Sequence, residues 1–160
     1  MRFADPRPDG RAIVYAAIQA DPLVHRCADA LVNASTGQRL LARAVMNGEP
    51  ADAEEWRTMF PGLFGAGVPP AERAASEAIL SLALEVAARG EESRSQVRGA
   101  IVEELAERLV ARRTGPVRRE RRILFDGVPG EIHPYDLTVE RPDGAAEAWD
   151  CKWGARGINA

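Results

Sequence analysis

A chain of 160 residues with 46% apolar content is long enough to bury a core, either as one domain or as a small domain with a helical extension. Its net charge of −3 excludes a surface that binds polyanions as a whole, so any contact with nucleic acid or membrane has to be local. The longest apolar runs, such as Ala78 to Ala88, are interrupted by Ser81 and Glu85 and are too short to span a bilayer.

The first ninety residues read as helices with little room for strands. Asp21-Pro22 supplies an N-cap and a proline at the first helical position, opening a helix that runs through Leu31. Ser35 or Thr36 caps the next, which carries Leu40, Leu41, Ala44 and Val45 and stops at Asn47-Gly48. Asp52, with Glu55 three residues later, makes a capping box for a short helix around Trp56. The Gly- and Pro-rich stretch from Phe60 to Pro70 reads as loop. Pro69-Pro70 then starts a long amphipathic helix through Arg89, ended by Gly90.

From Glu92 to Arg113 a second long helix places Val102, Leu105 and Leu109 on one stripe. After Gly115-Pro116 the period changes. Ile123 to Phe125, Ile132 to Val139 and Ala146 to Trp153 predict three strands, separated by turn sequences at 126–130 and 141–144. The expected architecture is α/β, with a helical region over 1–90 followed by a helix and three-stranded antiparallel meander over 91–160. The N-terminus lacks the layout of a secretory signal. Cys27 and Cys151 match neither a disulfide framework nor a zinc site, so a reducing cytoplasm is the expected compartment.

Of the twenty-one basic residues only Lys152 is lysine, and it lies in Asp150-Cys151-Lys152 between Trp149 and Trp153. Alternation along a strand points Trp149, Cys151 and Trp153 one way and Asp150 and Lys152 the other. On the preceding strand Tyr135, Leu137 and Val139 share a face, and Asp136 and Thr138 take the opposite one. One apolar and one charged face is the pattern of a sheet packed through one side. Pro142-Asp143-Gly144 fits a type I turn followed by a glycine in the left-handed region. Pairing Arg141 with Ala145 and counting outward sets Asp136 opposite Asp150. Two carboxylates roughly 5 Å apart at Cβ repel. Either one takes a proton near neutral pH, or a divalent cation lies between them. Hard oxygen ligands suit Mg²⁺ or Mn²⁺. Lys152 on the same face, about 7 Å further along, reaches the outer edge of such a site.

An acidic residue on a helix, then a hairpin carrying Asp136 and, on the next strand, Asp150-x-Lys152, resembles the PD-(D/E)XK nuclease superfamily with its restriction-endonuclease-like fold. The resemblance covers roughly Gln96 to Lys152. It implies that Asp136 and Asp150 hold Mg²⁺ (or Mn²⁺), with Glu103 joining directly or through water, the Cys151 carbonyl as a further ligand, and Lys152 as the catalytic cation. Glu103 is the best match for the helical acid, within Gly99-Ala100-Ile101-Val102-Glu103-Glu104-Leu105; Glu104 and Glu107 are alternatives. The implied activity is metal-dependent hydrolysis of nucleic-acid phosphodiesters, with DNA the expected substrate in restriction, repair or phage defence. Tyr135 stands where the family has proline before the aspartate, with Pro134 one place earlier. The family core continues beyond the lysine strand with a helix and a further strand. Arg156 to Ala160 reads as the start of that helix, so the core is expected to be incomplete, or completed by a homodimer or a partner chain.

Each of these residues also has a plainer reading. Asp136, Asp150 and Lys152 fit a solvated hairpin face, and Glu103 fits an exposed helical glutamate paired with Arg108 or Arg98. Arg112, Arg113, Arg118, Arg119, Arg121 and Arg122 form a basic run broken by Glu120. The run either contacts phosphates beside the metal site, together with Arg156, or forms a solvated loop and edge strand. His133 reads as a strand-end cap, His25 and Cys27 as packing residues, and Trp149 and Trp153 as core. The rival function is non-enzymatic: a helical interaction or nucleic-acid-binding module whose hairpin has a nuclease-like shape.

Overall fold

Local capping chemistry places most helices where the sequence predicts them. The Asp21 carboxylate accepts the Leu23 N–H at 2.8 Å and starts α2 (Pro22–Val32). Ser35 and Gln38 form a reciprocal capping box for α3 (Thr36–Asn47), and Asp52 and Glu55 do the same for α4 (Ala53–Met59). Each box satisfies backbone donors that the first helical turn leaves unpaired. The computed structural model describes residues 2–5, 10–48, 51–114, 116–124, 126 and 134–153. Within these, α1 spans Gly10–Gln19, α6 Pro70–Ala87 and α7 Glu91–Thr114. The stretch expected to be loop contains a short helix, α5 (Pro61–Phe64), because Pro61 is pre-set for a first helical position.

α2, α3, α6 and the first half of α7 enclose the main core, in which Val24, Leu41, Leu80, Ala83, Val86 and Ile101 are essentially inaccessible. α7 is rotated from its expected orientation. Val97, Ala100, Ile101 and Glu104 form the buried stripe, whereas Val102, Leu105 and Leu109 are only half-buried. Both stripes have helical spacing. The winner is the one facing α2, against which α7 packs.

The sheet has four antiparallel strands in the order β1 (Arg2–Ala4), β2 (Arg118–Leu124), β3 (Tyr135–Glu140) and β4 (Ala146–Trp149). Three strands were expected, and the fourth comes from the N-terminus, where Phe3 pairs with Ile123. The division expected at residue 90 is therefore crossed by β1 and by α1 and α2, which pack on α7. β2 takes in most of the basic run, and β4 stops at Trp149, short of the expected Trp153. The expected strand residues Phe125, Ile132 and His133 lie outside the described residues. The expectation of one solvated face is corrected in mid-sheet: Thr138 is 1% exposed, as are its neighbours Leu137 and Val139 to within a percent. The Thr138 hydroxyl donates to the Arg118 carbonyl of the adjoining strand, which satisfies it under cover.

The β3–β4 turn forms as its residues dictate. Gly144 sits at φ 81°, its N–H bonds the Arg141 carbonyl at 3.0 Å, and the Arg141 N–H bonds the Ala145 carbonyl at 2.8 Å. Asp143 accepts the Ala145 N–H at 2.9 Å. Gly144→Ala is expected to cost about 1 kcal/mol from the left-handed backbone, since open space surrounds the position. A thermal melt indistinguishable from wild type would remove this account of the turn.

Candidate functional site

The hairpin register is the one counted from the turn. Leu137 pairs with Trp149, Val139 with Glu147 and Glu140 with Ala146. One step further sets Asp136 across from Asp150, the first residue beyond β4. The Asp136 carboxylate accepts the Cys151 N–H, tying the hairpin together at this level. Its carboxyl is pushed up to about 6. Burial is the main cause; the Glu103 and Asp150 charges add to it, while the Cys151 amide and Lys152 oppose it.

The sheet adds an acid that sequence reasoning missed. Arg119 pairs with Leu137 and Arg121 with Tyr135, so Glu120 between them lies across β2–β3 from Asp136. Glu120, Asp136 and Asp150 thus form a row of carboxylates over neighbouring chain segments. Glu120 is at φ 55°, the one non-glycine in the left-handed region among the described residues. Burial, then the Glu103 and Asp136 charges, raises its carboxyl. In the sequence Glu120 was only the break in a basic run. The link between β2 and β3 is too long for its register to be counted.

α7 brings Glu103 to the same place. It is 7% exposed and makes none of the arginine pairs expected of a surface glutamate. Instead its Oε1 accepts the Tyr15 hydroxyl at 2.5 Å and its Oε2 accepts Gln19 Nε2 at 2.8 Å. Burial and the bond to Glu103 raise the Tyr15 phenol far above its usual value. The alternatives Glu104 and Glu107 are already neutralised. Arg119 pairs with both, and Arg108 and His25 also reach Glu104, His25 at 3.3 Å. Burial pushes the Glu104 carboxyl up, but the arginine hydrogen bonds outweigh it and hold it below the usual range. Among the described residues Glu103 is held by neutral donors and not by arginines, which separates it from its neighbours.

At the open edge Lys152 pairs with Asp150, and that bond raises the ammonium pKa. Both side chains are about half exposed. Trp153 turns the other way, onto the helical core, with its indole N–H on Asn47 Oδ1 at 3.0 Å. Burial pushes the Cys151 thiol up to about 12, so it stays protonated and offers the site only its main chain.

The arginines expected on phosphate are unevenly placed. Arg119 is bound to Glu104 and Glu107. Arg121 pairs with Glu140 and Asp5 and lies 4.9 Å over the Phe3 ring. Arg118 is exposed and Arg122 half-buried, while Arg156 and the histidine at 133 lie outside the described residues. Cys27 is buried as expected; His25 is not simple packing but part of the Glu104 network.

The donor chemistry fits Mg²⁺ or Mn²⁺: carboxylate oxygens and a carbonyl, crowded enough to raise the Asp136 and Glu120 carboxyls above their usual values. Among the described residues no three such side chains are already gathered tightly enough to hold an ion. Asp136 is turned to the Cys151 amide and Asp150 to Lys152, so binding requires both to exchange partners. No family model, curated protein or solved structure matches the chain.

Proposed function

We propose that this chain is a Mg²⁺-dependent nuclease, hydrolysing phosphodiesters of nucleic acid, with DNA the favoured substrate, on a restriction-endonuclease-like core. The observation that carries the reading is the approach of Glu103 on α7, Asp136 on β3 and Asp150 just beyond β4 towards one another, beside the chain's single lysine. A fold selected for stability alone would not oppose carboxylates across a hairpin, because like charges there destabilise the pairing. In this reading Asp136 and Asp150 hold the ion, assisted by Glu103 and the Cys151 carbonyl, with Glu120 adding negative charge beside them. When bound, Mg²⁺ lowers the pKa of an attacking water and neutralises charge on the phosphoryl oxygens. Lys152, released from Asp150, orients the water and stabilises the charge that builds on those oxygens. Arg118 is the exposed β2 arginine best placed for backbone phosphates.

The test is plasmid cleavage with Mg²⁺ by the wild-type chain, Asp150→Ala and Lys152→Ala. Both substitutions are expected to reduce the rate by at least about a hundredfold while leaving the fold intact, because both side chains are about half exposed. Cleavage that survives both changes removes this site from the reaction. Absence of cleavage in the wild type favours the rival reading, a binding module with a nuclease-like hairpin.

A further inference from the structure

α1 sets Ile18 against the core, but hydrophobic burial is not all that holds it. Ile13 is 70% and Val14 59% exposed, while Tyr15 and Gln19 point inward to α7. Tyr15 and Gln19 are four residues apart, one turn along the same face, and each donates to a different oxygen of one carboxylate. Gly99 lies one turn before Glu103 on α7, and a Cβ there would stand 3.4 Å from the Tyr15 hydroxyl. A buried carboxylate is itself expensive to desolvate, and an apolar residue at 103 would serve packing better.

We propose that Tyr15 and Gln19 are positioning residues that fix the Glu103 carboxylate for cation binding, which makes α1 part of the catalytic unit. The inference rests on the nuclease reading above. Neutral donors suit the task. They set the direction of both oxygens and leave each a second lone pair, whereas an arginine would cancel the charge, as at Glu104. Such outer partners are generally worth a factor of ten or more in metal affinity or rate.

The experiment combines Mn²⁺ binding by calorimetry with steady-state cleavage for Tyr15→Phe, Gln19→Ala, Glu103→Gln and the double variant Tyr15→Phe/Glu103→Gln. Ile13→Ala, on the outer face of α1, is the control. Tyr15→Phe and Gln19→Ala are each expected to weaken Mn²⁺ binding and lower kcat about tenfold with KM for DNA held. The double variant should be no worse than Glu103→Gln alone, because both changes act through one carboxylate. Ile13→Ala should match wild type. Additive losses in the double variant, or a rise in KM with kcat and Mn²⁺ affinity intact, overturn the positioning role and leave the nuclease reading standing. A wild-type chain that neither binds Mn²⁺ nor cleaves overturns the nuclease reading, and this inference with it.

Discussion

Asp136→Asn is expected to abolish Mg²⁺-dependent cleavage and yet, in metal-free buffer at pH 7.5, to make the protein more stable. The Asp136 carboxyl rises from its ordinary 3.8 to about 6 on folding. Between those values the native state binds more protons than the unfolded chain, so stability falls as pH rises through the window. Its contribution is complete below about pH 4 and lost above about 6. Glu120 is raised too and acts in the same direction. Asp21, Glu77 and Glu104 have lowered values and act oppositely, but their change is finished near pH 5, above their unfolded values. The pH 5–7 window therefore isolates the crowded acids.

Asparagine imitates the protonated form and can still accept the Cys151 N–H. Discounted for partial exposure, the gain at pH 7.5 is about 1–2 kcal/mol, shrinking to nothing by pH 4. Mg²⁺ reverses the order of the two proteins. It stabilises wild type at pH 7.5 by mass action and leaves the asparagine variant unmoved, and a proton competes with it at pH 5. Melts with and without Mg²⁺ at both pH values decide the matter. A variant less stable than wild type in metal-free buffer at pH 7.5 would falsify the crowding of acids proposed here.

Glu104→Ala is expected to be the most damaging single change outside the apolar core, lowering stability by about 2–3 kcal/mol at pH 7. Glu104 is 9% exposed and joins α7 to β2 through Arg119 and, through Arg108 and His25, to α2. Its removal leaves half-buried guanidiniums with less charge to face, although Glu107 and Asp29 retain part of it. The sign of the pH dependence is opposite to that of Asp136. A lowered carboxyl contributes stability above its unfolded value and loses it as pH falls, so the deficit of Glu104→Ala should shrink in acid. Denaturant melts at pH 7 and pH 3 give both numbers, and equal stability at pH 7 removes the network as a strut. Because Arg119 is tied to this network, the same measurement bears on whether the basic run serves the fold or the substrate.

The sequence alone determined what depends on near neighbours. The caps at Asp21, Ser35 and Asp52 need only the next three or four residues, and they form as written. The β3–β4 register followed from Pro142-Asp143-Gly144, because a turn this short leaves no freedom in pairing and so sets Asp136 against Asp150. Tertiary structure decided everything that needs a distant partner. β1 has only three residues and no pattern of its own, and exists because β2 offers it an edge. α7 carries two candidate apolar stripes, and packing on α2 chose between them. Glu120 met Asp136 through a β2–β3 register that the long link hid. Glu103 acquired donors 88 and 84 positions away, and Arg119 turned inward to Glu104 instead of out to solvent. Electrostatic energy depends on distance and burial in space, and neither is visible from spacing along the chain once the chain has folded back on itself.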